Sequence, residues 1–81
     1  MTDVEILARL TPVFQDVFDD DDITPHADMV ADDVSEWDSL SHIRLMISVE
    51  REFKVKFTAA EVGSLSRVGD LVALIQKKSA A

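Results

Sequence analysis

From Leu40 to Phe53 the sequence runs without a glycine or a proline, and its apolar residues recur at helical rather than alternating spacing. With Leu40 at 0° and a step of about 100° per residue, Leu45, Met46, Val49 and Phe53 fall between about 140° and 240°. Leu40, Ile43 and Ile47 fall on nearly the opposite side, between about 300° and 0°. A helix with two apolar faces is hard to place in a chain of 81 residues, because one small bundle cannot easily bury both. The first face reads as core. The second, flanked by Arg44, Arg51 and Lys54, reads as an exposed docking surface. The competing expectation is that the preceding loop packs over it.

The rest of the chain supplies partners for the core face. Ile6, Leu7, Leu10, Val13, Phe14, Val17 and Phe18 predict a helix from about Asp3 to Phe18, with Thr2 or Asp3 as its cap. Pro12 deletes one helical hydrogen bond. The apolar stripe keeps its phase across it, which predicts one kinked helix rather than two. A short third helix is expected near Ala59–Leu65, opened by a Thr58–Glu61 capping box. A fourth is expected from about Val68 to Lys78, with Ser66 as cap, Val68, Leu71, Val72, Leu74 and Ile75 as its stripe, and Lys77 and Lys78 in the last turn, where the helix dipole favours cations. The expected fold is an all-α four-helix bundle, with three longer helices and a short third one, as a single domain over residues 1–81.

Between the first two helices lies a long connection, Asp19 to Trp37, with Pro25 and the run Asp19–Asp22. Ile23, Met29, Val30 and Val34 are its expected anchors to the core. Connections of this length are often functional. The connection is also where charge concentrates. Residues 1–38 carry twelve Asp and Glu against one basic residue, Arg9, a net of −11; residues 39–81 carry four acids against seven bases, a net of +3; together they give the chain's −8. Such a front half repels nucleic-acid phosphates and anionic lipid. The run Asp19–Asp22 fails as a calcium loop, because the positions that need glycine and glutamate hold His26 and Asp32. No apolar run reaches the ~20 residues of a membrane span, and the absence of cysteine excludes disulfides and thiolate metal sites. A cytoplasmic, monomeric protein is expected, with no metal.

Chemistry-bearing residues cluster at Glu36-Trp37-Asp38-Ser39-Leu40-Ser41, directly before the long apolar run. Asp38 or Ser39 suits the position of a helix N-cap. A helix N-terminus also presents unpaired amides and the positive end of the dipole, so a phosphodiester on the Ser39 hydroxyl would sit there favourably. A hydrolytic serine is disfavoured, since Gly-x-Ser-x-Gly is absent and only His26 and His42 could serve as a base. His42, three residues after Ser39, falls with the core face. It reads as a hydrogen-bonded structural histidine near the bundle opening, against the alternative of a contact to a bound group. Trp37 and Met46 read as packing residues, with an indole hydrogen bond toward the phosphate region as a further option for Trp37.

Asp38-Ser39-Leu40 at the start of a helix, after a long loop, with Glu50-Arg51-Glu52-Phe53 at its end, resembles the acyl carrier protein family over nearly the whole chain. The resemblance implies a non-enzymatic carrier. Its 4'-phosphopantetheine arm would come from coenzyme A by way of a phosphopantetheinyl transferase and be attached to Ser39, with Asp38 assisting the modification. Acyl groups would ride on the arm's thiol as thioesters, loaded and unloaded by separate enzymes. Leu40, Ile43, Arg44, Ile47 and Arg51 match the family's partner-docking face. Ser41 stands where fatty-acid-type carriers tend to have an acid, and Arg44 and Arg51 balance Glu50 and Glu52. The sequence therefore looks more like a free-standing carrier of polyketide-type or other specialised metabolism, or of sugar modification. Peptidyl carriers usually have glycines where Glu36 and Trp37 stand. The alternatives are an aminoacyl or peptidyl carrier, and an unmodified helical interaction module.

Overall fold

A computed structural model describes residues 2–34 and 36–79. Among the described residues there are four α-helices: α1 (Asp3–Phe18), α2 (Ser39–Phe53), α3 (Ala59–Gly63) and α4 (Val68–Ser79). A 3-10 turn at Ala31–Asp33 interrupts the long connection. No strand forms among the described residues; one isolated antiparallel bridge joins Val30 to Arg67.

Helix α1 begins with a reciprocal cap. The Thr2 hydroxyl accepts from the Glu5 amide, and the Glu5 carboxylate accepts from the Thr2 amide. The helix runs unbroken through Pro12, which is exposed, so the carbonyl deprived of its partner faces water. The buried line on its inner side is Ile6, Leu10, Phe14 and Phe18. Against it pack Leu45, Met46, Val49 and Phe53 of α2 and Val68, Leu71, Val72 and Ile75 of α4. All are aliphatic, thioether or phenyl side chains, and no buried side-chain polar atom among the described residues lacks a partner.

Polar clamps hold the helices in register. Arg9 of α1 grips the Glu52 carboxylate (3.1 Å) and carbonyl (2.7 Å) while its guanidinium lies 4.5 Å above the Phe53 ring. Both charged groups are partly exposed, so the ion pair itself contributes only about 0–1 kcal/mol. Lys78 of α4 meets Glu61 of α3 at 3.0 Å.

The connection is tied down by three of its four expected anchors; Val30 is instead half-buried and held through its bridge to Arg67. Ile23, Pro25 and Met29 are buried, and Val34 packs on the core. It also supplies what the start of α4 lacks. The amides of Val68 and Gly69 have no acceptor within their own helix, and they donate to the carbonyls of Met29 (2.9 Å) and Ala27 (2.8 Å). A Cβ at position 69 would stand 2.9 Å from the Ala27 carbonyl oxygen, so this close approach requires glycine.

Two boundary expectations are corrected. Helix α3 ends at Gly63, not Leu65, because Leu65 turns inward to pack on the core. Ser66 does not cap α4. The Asp70 carboxylate instead reaches back to accept from the Ser66 and Arg67 amides, both at 3.1 Å.

Candidate functional site

The Asp38-Ser39 junction resolves which residue does the capping. Asp38 is extended (φ −106°, ψ −172°), and its carboxylate accepts from the Ser41 amide at 2.8 Å. This bond, with the amide of Leu40 adding to it, holds the Asp38 carboxyl below its usual range. Ser39 is the first helical residue, is exposed, and its hydroxyl makes no hydrogen bond among the described residues. A capping serine would have its oxygen committed; here the aspartate takes that duty and leaves the hydroxyl uncommitted. The dipole of α2 points its positive end toward this position.

Trp37, two residues before Ser39, is half-buried. Its ring packs edge-on against Phe14 and tilted against Phe18, with centroids 5.6 Å from each. Its indole N–H does not point to the serine, as one expectation had it. It donates to Nδ1 of His42 at 3.1 Å. An indole nitrogen can only donate, so Nδ1 is the acceptor and the ring proton resides on Nε2. That nitrogen lies 3.0 Å from the Val62 carbonyl, which near the end of α3 has no acceptor role left inside the helix. The structural reading of His42 is the one the geometry supports. The continuous link Trp37–His42–Val62 is what sequence reasoning missed. Helical spacing placed His42 on the inner side, but nothing in the spacing aims an indole at an imidazole.

The outward face of α2 is bare. Leu40, Ile43 and Ile47 are 66%, 53% and 51% exposed, so the connection does not pack over them. Arg44 and Arg51 lie on the same side and are exposed. Arg9, Arg67 and Lys78 each find a carboxylate, whereas Arg44 and Arg51 have none among the described residues.

Elsewhere, a broad depression of about 510 Å³ opens beside the connection, lined by Asp19, Asp20, Asp22, Asp33 and Glu36 among others. Among the described residues no three Asp, Glu or His side chains are grouped to hold a metal ion. No described helix is long and apolar enough to cross a membrane.

No family model matches the chain. Individual proteins do. The meromycolate extension acyl carrier protein of Mycolicibacterium smegmatis is 35% identical over 78 residues, which span 94% of this chain and 77% of that protein. Its counterpart in Mycobacterium tuberculosis is 34% identical over 79 residues, 95% of this chain and 67% of the relative. Among solved structures, the solution NMR structure of a holo acyl carrier protein from Geobacter metallireducens superposes with a TM-score of 0.85 at 47% identity, covering 91% of this chain and 85% of that one.

Proposed function

The chain belongs to the acyl carrier protein family, and from that premise we propose that Ser39 is the residue through which it carries its cargo. The protein is a carrier and not an enzyme, and its prosthetic group is 4'-phosphopantetheine. The observation that supports Ser39 is its uncommitted, exposed hydroxyl at the first turn of α2. The residues present fit the group: the hydroxyl can form the phosphodiester, and the end of the helix where it sits favours the negative charge. In the modification the Ser39 oxygen attacks the diphosphate of coenzyme A; the new bond is oxygen to phosphorus, the bond to the adenosine bisphosphate breaks, and the hydroxyl proton is lost. Asp38, the residue before Ser39, whose carboxylate is fixed and kept charged by the Ser41 amide, assists the modification. The bound arm supplies a thiol on which acyl groups travel as thioesters.

Leu40, Ile43, Arg44, Ile47 and Arg51 form the surface on which partner enzymes dock. An exposed aliphatic stripe beside two guanidinium groups that have no carboxylate partner among the described residues suits a partner with an apolar groove and an acidic rim. The partners are a phosphopantetheinyl transferase and the enzymes that load and transfer acyl groups, met by a cytoplasmic monomer. The likeness to meromycolate extension carriers supports acyl intermediates of specialised lipid or polyketide-type metabolism as the cargo, rather than bulk fatty acid synthesis. Intact mass after incubation with coenzyme A and a broad-specificity transferase tests the assignment. The wild type gains one phosphopantetheine and Ser39→Ala gains none. No addition to a folded wild type with several transferases would return the chain to the reading of an unmodified interaction module.

A further inference from the structure

The Ser39 hydroxyl makes no hydrogen bond among the described residues, so its place is set by the backbone beneath it. That backbone is the first turn of a helix, where amides lack acceptors within the helix and fraying begins. Helices α1 and α3 secure the same place with a reciprocal box, Thr2 with Glu5 and Thr58 with Glu61. Helix α2 has half of one. The Asp38 carboxylate takes the Ser41 amide, but the answering position holds Ser41 itself rather than a glutamate, and the Asp38 amide turns to the Glu36 carbonyl at 3.1 Å. The indole–imidazole bond stands where the other half would be. It runs from Trp37, one residue before the cap, to His42, the fourth residue of the helix, and so closes a ring around Asp38, Ser39, Leu40 and Ser41. Both ends of that ring are anchored outside α2. The Trp37 rings sit against Phe14 and Phe18 of α1, and Nε2 of His42 donates to the Val62 carbonyl of α3 at 3.0 Å. Inside it, the His42 amide donates to the Asp38 carbonyl at 2.9 Å.

We propose that Trp37 and His42 are positioning residues for the modification of Ser39: their bond braces the attachment turn and so presents the hydroxyl to the transferase in one place. The proposal rests on Ser39 as the point of attachment. A nucleophile displaced by about 1 Å can lose on the order of a hundredfold in rate, so a turn that frays is a poor substrate even when it binds well. The two side chains act through the backbone of the turn. Ile43, Arg44, Ile47 and Arg51 of the docking surface lie outside the ring, so cutting the bond leaves them in place. The loss therefore falls on the rate of transfer at saturation and not on the affinity of the transferase for the carrier.

Two variants cut the bond from either side. Trp37→Phe keeps a ring against Phe14 and Phe18 and removes the donor; His42→Leu removes the acceptor. Transfer from coenzyme A to the full chain is followed by intact mass over a range of carrier concentrations, with circular dichroism confirming that each variant keeps its helix content. Each should lower kcat about three- to tenfold, the worth of one hydrogen bond, with KM nearly unchanged. A merely structural loss behaves otherwise: it shrinks the folded share of the carrier and raises the apparent KM while kcat at saturation holds. The double variant should lose no more than His42→Leu alone, because the two changes break the same bond. Independently of any enzyme, the His42 amide should exchange with solvent about three- to tenfold faster in Trp37→Phe than in the wild type. A wild-type kcat in both variants, a loss confined to KM, or losses that multiply in the double variant overturns the brace while leaving Ser39 in place. No mass addition to the wild type overturns the Ser39 reading and the brace with it.

Discussion

The inward face of α2 is sealed and its outward face is bare, although both carry large aliphatic side chains. Leu45 and Val49 are fully buried, while Ile43 and Ile47, within two residues of one or the other, are about half exposed. The difference lies in what surrounds each face. Inward, α1 and α4 supply Phe14, Leu10 and Leu71; outward, the stripe is exposed, on the side of the helix that carries Arg44 and Arg51, which have no carboxylate partner among the described residues. Hydrophobicity therefore serves two purposes on one helix: one face stabilises the fold, and the other is available for association.

The sharpest way to test that separation is at the turn where the faces meet. Ser39→Ala should abolish modification and leave the melting temperature unchanged. A large loss of stability would mean that the hydroxyl has a structural duty after all. Next comes a pair matched in chemistry. Leu45→Ala should cost about 2–5 kcal/mol in chemical denaturation, much of what a domain this small possesses. Ile43→Ala should stay within about 0.5 kcal/mol. Similar costs at both sites would show that the outward face is covered in solution. Reversing charge on that face, with Arg44→Glu and Arg51→Glu together, should lower use by a cognate acyl-transferring enzyme by roughly tenfold with the fold intact. Unaltered turnover with every partner would remove the arginines from the docking surface.

The smallest effect is one of pH. The Asp38 carboxyl is held below its usual 3.8 by the Ser41 amide, so its contribution to stability is complete above that value and is lost as pH falls through the lower, folded-state value. Glu61 and Asp70 are likewise lowered, first of all by amides at the starts of α3 and α4. The Ser41 amide resonance should titrate with a midpoint below 3.8, and in Asp38→Asn it should not follow that titration. A wild-type midpoint at or above 3.8 would contradict the cap.

Much of this was legible in the sequence, because it depends on neighbours three or four residues apart. The two faces of α2, the Thr58–Glu61 box and the extent of α1 all follow from such spacing. The cap at Asp38 was half legible: sequence narrowed it to two residues, and only geometry chose between them. What escaped involves partners distant along the chain. Ser66 looked like a cap until the connection's carbonyls and Asp70 were seen to take up the amides there. The aim of the Trp37 indole was set by where Val62 leaves His42, which no local pattern encodes.

Gly69 has a consequence beyond its own contact. In polymer terms, the stitch from Ala27 and Met29 to the start of α4 cuts one long connection into two short spans, each with fewer conformations to lose on folding. The half of the stitch that reaches Ala27 exists because one methyl group is missing. A side chain at position 69 would push Ala27 away and open one end of the stitch, leaving the Val68 amide on Met29 to hold the other. The serine's address in space is thus set partly by an absence thirty residues downstream.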